Sequence, residues 1–314
     1  MNSDCKLWFV NVFKLMLSLR RFVANFFSFI FMSFVRAVSY LRPSLRYFIG
    51  SGLGRLVFFI LKDRSKIIKT NLNLCFESDA SVDLKKLYKD TVKDLGVGLL
   101  ESGVGLFRSD KYIISKMKVS GFGSVKKHYG DGQPIIILIP HFSHMMLAVR
   151  VCGILMPSCL LRRSQNNPVI EEATVSTIKA NFDAMVMQKD TRGIIKQLKQ
   201  KNILLMLPDH DLGATRSVFA DFFGVKTATV KSISKLAKLC QAKVITASFL
   251  RCNDLSYIID FKDISSDLIL DDYEADAAYI NAVFEAYIKK NPSQYYWCHR
   301  RFKTRPHGED GFYS

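Results

Sequence analysis

Residues 134–140, PIIILIP, are the stretch that decides the fold class. The run is short, wholly apolar and rich in β-branched isoleucine, and it lies between Gly132-Gln133 and Pro140. Such a run between turn-forming residues indicates a strand that is buried on both faces. His141 follows it directly, where the end of a strand presents its side chain to a pocket. The stretch therefore predicts a central strand and, at its end, the place of a functional site.

Strands and helices alternate on both sides of this run. Further strands are predicted over residues 203–211 (ILLMLPDHD), 243–252 (KVITASFLRC) and 255–264 (LSYIIDFKDI). Helices are predicted after Pro43, over 81–107 with Ser81 as the cap, and over 145–155, 169–186, 192–202, 229–242 and 276–290. This alternation predicts an α/β domain with a mixed, largely parallel sheet flanked by helices.

The composition favours a membrane surface over nucleic acid as a partner. The 314 residues carry a formal net charge of +17, 49% of them are hydrophobic, and the mean hydropathy is positive. A basic and apolar chain suits an anionic lipid surface, although general basicity is a competing interpretation. The sequence has no zinc-finger spacing, aromatic RNP-like strand or basic zipper, so nucleic acid is not an expected partner.

The cysteines give no sign of a metal site or of a disulfide framework. Seven are present, at positions 5, 75, 152, 159, 240, 252 and 298, and none forms a C-x-x-C pair. Scattered cysteines in odd number predict reduced, mostly buried thiols in a protein that faces the cytosol. Neither a metal nor another cofactor is expected.

The N-terminus differs from the rest of the chain in composition. Residues 7–38 are crowded with Phe, Leu, Val and Met, and basic residues break the run at Lys14 and Arg20-Arg21. The longest uninterrupted piece, 22–35, has 14 residues, fewer than the roughly 20 that cross a bilayer. No small-residue cleavage site follows, so a removed signal peptide is not expected.

This segment predicts a membrane anchor over residues 1–40, followed by a domain over residues 41–314. The anchor either spans the membrane with its arginines reaching the interface or lies in the interface as an amphipathic helix. The arginines that would keep the domain on the cytoplasmic side are Arg20, Arg21, Arg36, Arg42 and Arg46. A buried hydrophobic hairpin of the globular core is the alternative.

Polar residues follow three of the predicted strands. They are His141 after the first, Asp209-His210-Asp211 after the second and Arg251 after the third, with Arg162-Arg163 and Asn166-Asn167 on the loop between. Residues just past the ends of strands build the sites of α/β sheets, so we expect these side chains to share one pocket. A pocket rich in basic and hydrogen-bonding groups suits a phosphorylated substrate, whereas each residue taken singly is equally well explained as a solvated loop residue.

Several longer segments resemble the late acyltransferases of lipid A biosynthesis, the lauroyl/myristoyl family. The resemblance covers roughly residues 45–306 and is carried by KTNLNLCF (69–76), IPHF (139–142), RRSQNNP (162–168), RGIIKQLK (192–199), LPDHDLGATRSVFADFFG (207–224) and YYWCHRRFKTRP (295–306). It implies a glycerolipid acyltransferase-like α/β domain on an N-terminal membrane-anchoring helix. Within the fifth segment, Phe219, Phe222 and Phe223 are expected in the core rather than in an acyl-chain pocket.

The resemblance also implies a function. Members of the family move a fatty acyl chain from acyl carrier protein to a hydroxyl of a lipid A precursor, at the cytoplasmic face of the bacterial inner membrane, in lipopolysaccharide biosynthesis. The expected partners are acyl carrier protein or acyl-CoA as donor, a phosphorylated glycolipid as acceptor, and inner-membrane lipid. His141 would be the general base, since the hydroxyl loses its proton as it attacks the thioester. The residues expected to bind substrate are Arg163, which matches a family arginine after the catalytic strand, and Asn167, Asp209, His210 and Arg216.

The chain departs from the family at Met146. In the family a carboxylate lies five residues after the histidine, where it holds the imidazole in one tautomer and stabilises its protonated form. Three explanations are open: another carboxylate reaches His141, the acid has been lost, or His144 partners or replaces His141. The candidate carboxylates are Asp209, Asp211 and Glu101. Loss of the acid would leave a weakened or inactive relative that binds the phosphorylated glycolipid without efficient turnover. A carboxylate oxygen within about 3.2 Å of a ring nitrogen of His141 would favour the first explanation.

Overall fold

Helices form the first part of the chain. The computed structural model describes residues 24–313, so the predicted anchor is described only from residue 24, and residues 7–23, including Lys14 and Arg20-Arg21, lie outside the described residues. The first helices are α1 (Ala24–Ser39), α2 (Pro43–Ile60), α3 (Lys62–Phe76), α4 (Leu84–Phe107) and α5 (Asp110–Ile114).

Strands then alternate with helices. The order is β1 (Met117–Ser120), α6 (Phe122–Gly130), β2 (Ile135–Leu138), α7 (Met145–Leu155), β3 (Ser158–Arg162), α8 (Pro168–Asn181), β4 (Ala184–Met187), α9 (Thr191–Lys199) and β5 (Ile203–Met206). It continues with β6 (Ser217–Phe222), β7 (Val225–Val230), α10 (Ser232–Cys240), β8 (Lys243–Arg251), β9 (Tyr257–Asp263) and α11 (Tyr273–Lys290). Short 3₁₀ turns cover Ala214–Arg216 and Pro292–Gln294.

The predicted α/β class with a largely parallel, mixed sheet is confirmed. In the part of the chain that the structure describes, seven strands form one sheet in the order β1-β9-β8-β2-β5-β3-β4. Neighbours are parallel except for β8 and β9, which are antiparallel. Strand β2, which begins in the PIIILIP run, lies at the centre, and its carboxyl end shares one edge of the sheet with that of β5.

Helices cover both faces of this sheet. Ile136 and Leu138 of β2 face one hydrophobic core, which also contains residues of α3, α4, α9, α10 and α11. Ile135 and Ile137 face a second core with residues of α5, α6, α7 and α8. Successive residues of a strand point to opposite faces, so a strand buried on both sides must be apolar at every position. The unbroken isoleucine run follows from this requirement.

The sequence patterns miss five strands: β1, β3, β4, β6 and β7. A strand gains its stability from the strands it pairs with and from packing more than from a local pattern. The predicted helix 169–186 ends at Asn181 because residues 184–187 pair with β3, and the predicted helix 229–242 begins at Ser232 because residues 225–230 pair with β6.

The predicted cap of α4 is also wrong. The side chain of Asp83, not Ser81, accepts hydrogen bonds from the backbone N–H groups of Lys85 and Lys86. Aspartate at this position satisfies two of the N–H groups that the first turn of a helix leaves open. Ser81 instead bonds the carboxylate of Asp79.

The described N-terminal helices are apolar on their outer surface. Within residues 24–313, α1 is short, and no single helix combines the length and apolar character that crossing a membrane requires; α2 and α3 reach them only together, across a bend of 102°. The large exposed apolar residues of α1 and α2 include Phe26, Phe27, Phe29, Phe34, Phe48, Leu56 and Phe59. The opposite face of α2 packs so closely on α4 that a Cβ atom at Gly54 would lie 2.1 Å from the carbonyl oxygen of Val92. At the end of α1, Val35 and Val38 are buried beside Leu100, so the predicted anchor contacts the following domain.

Candidate active site

The register of two neighbouring strands brings His141 and Asp209 together. Leu138 of β2 pairs with Met206 of β5 in a parallel register. His141 lies three residues after Leu138, and Asp209 lies three residues after Met206. The backbone N–H of Ile139 still donates to the carbonyl oxygen of Met206, so the two segments leave the sheet side by side. The pairing of β2 with β5 was not readable from the sequence, but the polar residues at both strand ends were.

Asp209 holds His141 at two points. Its carboxylate lies 2.5 Å from Nδ1 of the imidazole and accepts a second hydrogen bond of 2.8 Å from the backbone N–H of His141. Burial raises the pKa of Asp209, but the charge of His141 and these hydrogen bonds outweigh it and hold the pKa well below its ordinary value. The carboxylate is therefore ionised and accepts, so Nδ1–H of His141 donates and Nε2 is the ring nitrogen that this contact leaves free.

The C-terminal segment completes this arrangement. The hydroxyl of Tyr295 donates to the second oxygen of Asp209 at 2.8 Å, and the backbone N–H of Tyr296 donates to the carbonyl oxygen of His141 at 2.8 Å. The N–H of Ser143 donates to the carbonyl oxygen of Gln294, also at 2.8 Å. The sequence does not identify Tyr295 as a site residue, although it lies in YYWCHRRFKTRP, one of the segments that carry the resemblance. Only the fold shows that this distant segment lies against the strand ends.

Two more histidines lie beside His141. The ring of His210 stacks on that of His141, with centroids 3.8 Å apart and planes 19° from parallel, and the ring of His299 lies 3.6 Å from that of His210. Burial, followed by the charges of the neighbouring histidines, lowers the pKa of His210 to about 4 and that of His299 to about 3. Both rings are therefore neutral at pH 7. His299 was not nominated from the sequence either.

Arg251 does not join the pocket. Its guanidinium turns to α4, where it donates to Glu101 at 2.7 Å and also bonds Asp94. Glu101 further accepts from the hydroxyl of Tyr257 at 2.6 Å, so both of its oxygens have partners in this buried network. A buried arginine with two carboxylates is a paired charge, and removing one member would leave another uncompensated. The expectation that Arg251 lines the pocket is therefore wrong.

His144 belongs to the same network rather than to His141. It is fully buried, its Nε2 lies 3.1 Å from the carbonyl oxygen of Phe249, and its Nδ1 lies 3.8 Å from Glu101. Burial lowers its pKa to about 4, and the carboxylate of Glu101 opposes this shift only in part. His144 is therefore a neutral core residue at pH 7.

The buried neutral state of His144 predicts a loss of stability in acid. Its pKa is about 4 in the folded protein against an ordinary value of 6.5, so the unfolded chain takes up the proton first as the pH falls. The stabilisation is intact above pH 6.5, and about 3 kcal/mol is lost between pH 6.5 and pH 4. We expect His144→Gln to flatten the pH dependence of the free energy of unfolding, because the variant takes up about one proton fewer on unfolding in acid. The measurement is denaturant titration at pH 7 and 4.5. An unchanged slope in the variant would contradict this account.

The other residues that the sequence predicts to bind substrate lie on the segments that follow β3 and β5. Arg163 and Arg216 are exposed, whereas both ends of the Asn167 side chain are used within the protein. Oδ1 of Asn167 accepts from Val169 and Ile170 to cap α8, and its Nδ2 donates to Ser28 at 2.8 Å. Substrate binding by these three residues and by His210 stays a prediction, and for Asn167 it would require breaking the cap.

Asp211 binds Gly213 and Thr304 rather than the ring of His141. Its carboxylate accepts from the N–H of Gly213 at 2.9 Å, and from the N–H and the hydroxyl of Thr304 at 2.6 and 2.8 Å. It therefore holds the loop after β5 to the C-terminal segment. Phe222 lies in the core with 1% of its surface exposed, as predicted, and Phe219 and Phe223 are partly buried.

The geometry favours one of the three explanations for Met146. This half-buried residue stands in the first turn of α7. Of the candidate carboxylates, Asp209 meets the distance criterion, while Asp211 and Glu101 bond other partners. The ring of His141 thus has an orienting carboxylate that comes from the neighbouring strand instead of from the following helix. Such a pair is the arrangement that general-base chemistry requires.

Known proteins resemble this chain over most of its length. A family model described as bacterial lipid A biosynthesis acyltransferase matches residues 14–304. The chain is 33% identical over 265 residues to the lipid A biosynthesis lauroyltransferase of Escherichia coli strain K12, covering 83% of this chain and 86% of that protein. It is 31% identical over 267 residues to the palmitoleoyltransferase of the same organism, covering 85% and 87%. A lipid A biosynthesis acyltransferase of Haemophilus influenzae is 35% identical over 277 residues, covering 84% and 86%.

The match runs through both strand ends and through the C-terminal segment that Asp209 binds. It therefore includes His141, Asp209 and the segment that contacts them. By these matches the chain belongs to the bacterial lipid A biosynthesis acyltransferase family and is an acyltransferase.

Proposed function

We propose that this enzyme transfers a fatty acyl chain from acyl carrier protein, or from acyl-CoA, to a hydroxyl of a phosphorylated lipid A precursor, at the cytoplasmic face of the bacterial inner membrane. The observation that carries the proposal is the 2.5 Å contact between Nδ1 of His141 and the carboxylate of Asp209. It supplies the oriented base that the reaction needs without an acid at position 146. The names of the relatives support the class of acceptor, and the choice of donor rests on the resemblance.

The proposed reaction exchanges a thioester for an ester. Nε2 of His141 takes the proton of the acceptor hydroxyl while the hydroxyl oxygen attacks the thioester carbonyl carbon, and the carbonyl π electrons move to its oxygen. When the tetrahedral intermediate collapses, the C–S bond breaks and the leaving sulfur takes the proton from the imidazolium. Asp209 remains ionised throughout and stabilises the imidazolium by its charge. The products are the ester and a free thiol.

The phosphates of the acceptor need cations outside the catalytic pair. Arg163 follows β3 and Arg216 lies in the 3₁₀ turn after β5, and both are exposed. Strand β5 lies between β2 and β3 and is parallel to both, so both loops leave the sheet at the carboxyl edge that carries His141. The planar guanidinium of arginine binds phosphate through two parallel hydrogen bonds, which makes these two residues the proposed acceptor contacts.

The outer face of α2 supports attachment to a membrane. Phe48 and Phe59 have 75% and 78% of their surface exposed, and Leu56 and Ile60 lie near Phe59 on the same helix. Aromatic and aliphatic residues this exposed cost free energy in water, whereas a lipid interface would bury them. We therefore propose that α1 and α2 lie against the bilayer and present the site to a glycolipid held there.

Replacing Phe48 and Phe59 by serine tests this surface. Burying one phenylalanine is worth about 1.5–3 kcal/mol, so we expect each substitution to weaken binding to anionic vesicles by roughly tenfold or more. The measurement is co-sedimentation of the full chain with vesicles containing phosphatidylglycerol. Ile269→Ser is the matched control, because Ile269 is 61% exposed and lies outside the N-terminal helices. Equal binding of the variants and the control would exclude the α2 surface.

The activity itself is tested with a defined pair of substrates. The purified full chain in mixed micelles is given an acyl-carrier-protein thioester and a tetra-acylated, phosphorylated disaccharide, and the ester product is followed by mass spectrometry. Parallel reactions with acyl-CoA and with a dephosphorylated acceptor separate the donor and phosphate requirements. Binding of the acceptor without turnover would instead support the second candidate function, a family member that binds the glycolipid but transfers acyl chains poorly. Met146, in the place of the family's carboxylate, is the observation that favours this second candidate.

Met146→Glu distinguishes the two candidates by the direction of its effect. If Asp209 already serves His141, a second carboxylate gives no gain and adds the cost of placing a charge where a thioether packs. We expect an unchanged or lower rate, with Met146→Leu as the uncharged control. A gain of about tenfold or more, the lower range for a positioned acid–base group, would show that the acid had been lost and not replaced.

A further inference from the structure

Three histidines from separate parts of the chain meet at the candidate active site. One ring nitrogen of each of His141, His210 and His299 lies within 4.8 Å of the others. Imidazole is the preferred nitrogen ligand of Zn²⁺ and of its neighbours in the first transition series, and three such ligands with an open fourth position form a common zinc site. The cysteine pattern predicts no metal site, and the sequence gives no hint that the histidines at positions 141, 210 and 299 meet.

Two of these histidines carry a nitrogen without a partner. Nε2 of His210 and Nε2 of His299 are both buried, and neither has a hydrogen-bond partner among residues 24–313. Buried polar atoms in proteins are nearly always paired, so each orphaned nitrogen requires an ion, a ligand or a water. In His141 the bond of Nδ1 to Asp209 leaves Nε2 as the free donor atom. Each of the three rings thus has a donor nitrogen to give.

Asp209 is the kind of carboxylate partner that a metal-binding histidine ordinarily has. A ligating imidazole usually donates its second N–H to a carboxylate, which fixes the tautomer and makes the ring a better donor. The contact of 2.5 Å between Asp209 and Nδ1 of His141 is such a bond. The buried carboxylate also places a negative charge beside the cluster, which offsets part of the charge of a divalent cation.

We propose that His141, His210 and His299 bind a divalent transition metal of the Zn²⁺ class, and that the bound metal blocks the base. Zinc–nitrogen bonds of about 2.0 Å set tetrahedral ligands about 3.3 Å apart, so the nitrogens must move together. The rings of His141 and His210 are within 19° of parallel, so one of them must also turn out of the stack to aim its lone pair at the metal. The metal then holds the lone pair on Nε2 of His141 that would accept the hydroxyl proton. This second part rests on the proposed function, whereas the binding of metal does not.

The binding is tested with cobalt as a spectroscopic substitute for zinc. The full chain is freed of metal with a chelator and titrated with Co²⁺, whose visible absorption reports four-coordinate nitrogen ligation, and Zn²⁺ is then added to displace it. We expect one ion per chain, and at least a tenfold weaker affinity in His210→Ala and in His299→Ala. His128→Ala is the matched control, because His128 also pairs with a carboxylate, Asp263, away from the cluster. The absence of saturable binding, or binding that both cluster variants retain, would overturn the inference.

A separate measurement tests the block. Acyl transfer by the metal-free enzyme is measured against free Zn²⁺, and we expect inhibition with a midpoint that matches the affinity from the cobalt displacement. Bound zinc that leaves the rate unchanged would overturn the block. A metal-free protein that binds cobalt through the three histidines but transfers no acyl chain would refute the proposed function while supporting the metal site.

Discussion

We expect His141→Ala to lower acyl transfer by about a hundredfold to ten-thousandfold, the range that a positioned general base contributes. The reason is that, within residues 24–313, no other side chain bonded to Asp209 can take up a proton from the acceptor. Tyr295, which also binds that carboxylate, is already a donor, and burial followed by the charge of Asp209 raises its pKa well above the ordinary value. The loss should fall on kcat, measured as ester formed per enzyme at saturating donor and acceptor.

A second variant separates catalysis from folding. His141→Ala leaves the buried carboxylate of Asp209 without its ring partner, which costs about 1–3 kcal/mol of stability. His141→Gln retains a side-chain N–H for that carboxylate but has no group that accepts a proton at pH 7. Both variants should be equally inactive while His141→Gln melts closer to the wild-type temperature. Adding imidazole should restore part of the rate to His141→Ala, and a fully active glutamine variant would move the base elsewhere.

The sequence predicts the central strand better than the partner of His141 because the two depend on different kinds of contact. The isoleucine run over residues 135–139 must be apolar at every position since both faces of β2 are covered, and that requirement is visible locally. The end of β2 likewise marks the place of His141. The partner of that histidine is decided by the register between β2 and β5, which joins residues 68 positions apart. No local pattern encodes that pairing.

The parts of the site that sequence reasoning missed come from still more distant contacts. Tyr295 and His299 reach the strand ends because the side chain of Asn71 on α3 holds the carbonyl oxygens of Trp297 and His299, at 2.8 and 2.7 Å. Arg251 was expected in the pocket because it follows a strand, but the buried carboxylates of α4 compete for it. A charged residue at a strand end is therefore a candidate site residue, and only the fold shows whether it pairs with a buried charge instead.

Because the register between β2 and β5 brings Asp209 to His141, we predict that acyl transfer requires Asp209 and not a carboxylate at position 146. We expect Asp209→Asn to lower kcat by up to about ten-thousandfold, as loss of the orienting carboxylate does in the serine protease triad. Asparagine has nearly the same shape, so the loop after β5 should fold normally. Its amide can donate as well as accept, which allows the ring of His141 to adopt the tautomer with the proton on Nε2, where it cannot act as a base.

The controls for this substitution lie elsewhere in the same chain. Asp263→Asn breaks a second histidine–carboxylate contact of similar length, 2.6 Å to His128, and should leave the rate unchanged. Tyr295→Phe removes one hydrogen bond to Asp209 but keeps the charge, so its loss should be much smaller than that of Asp209→Asn. Asp209→Glu keeps the charge at a longer reach and should recover part of the rate. If Asp209→Asn and Asp263→Asn were equally active, the short contact beside His141 would be structural, and the weakened relative would become the better account of Met146.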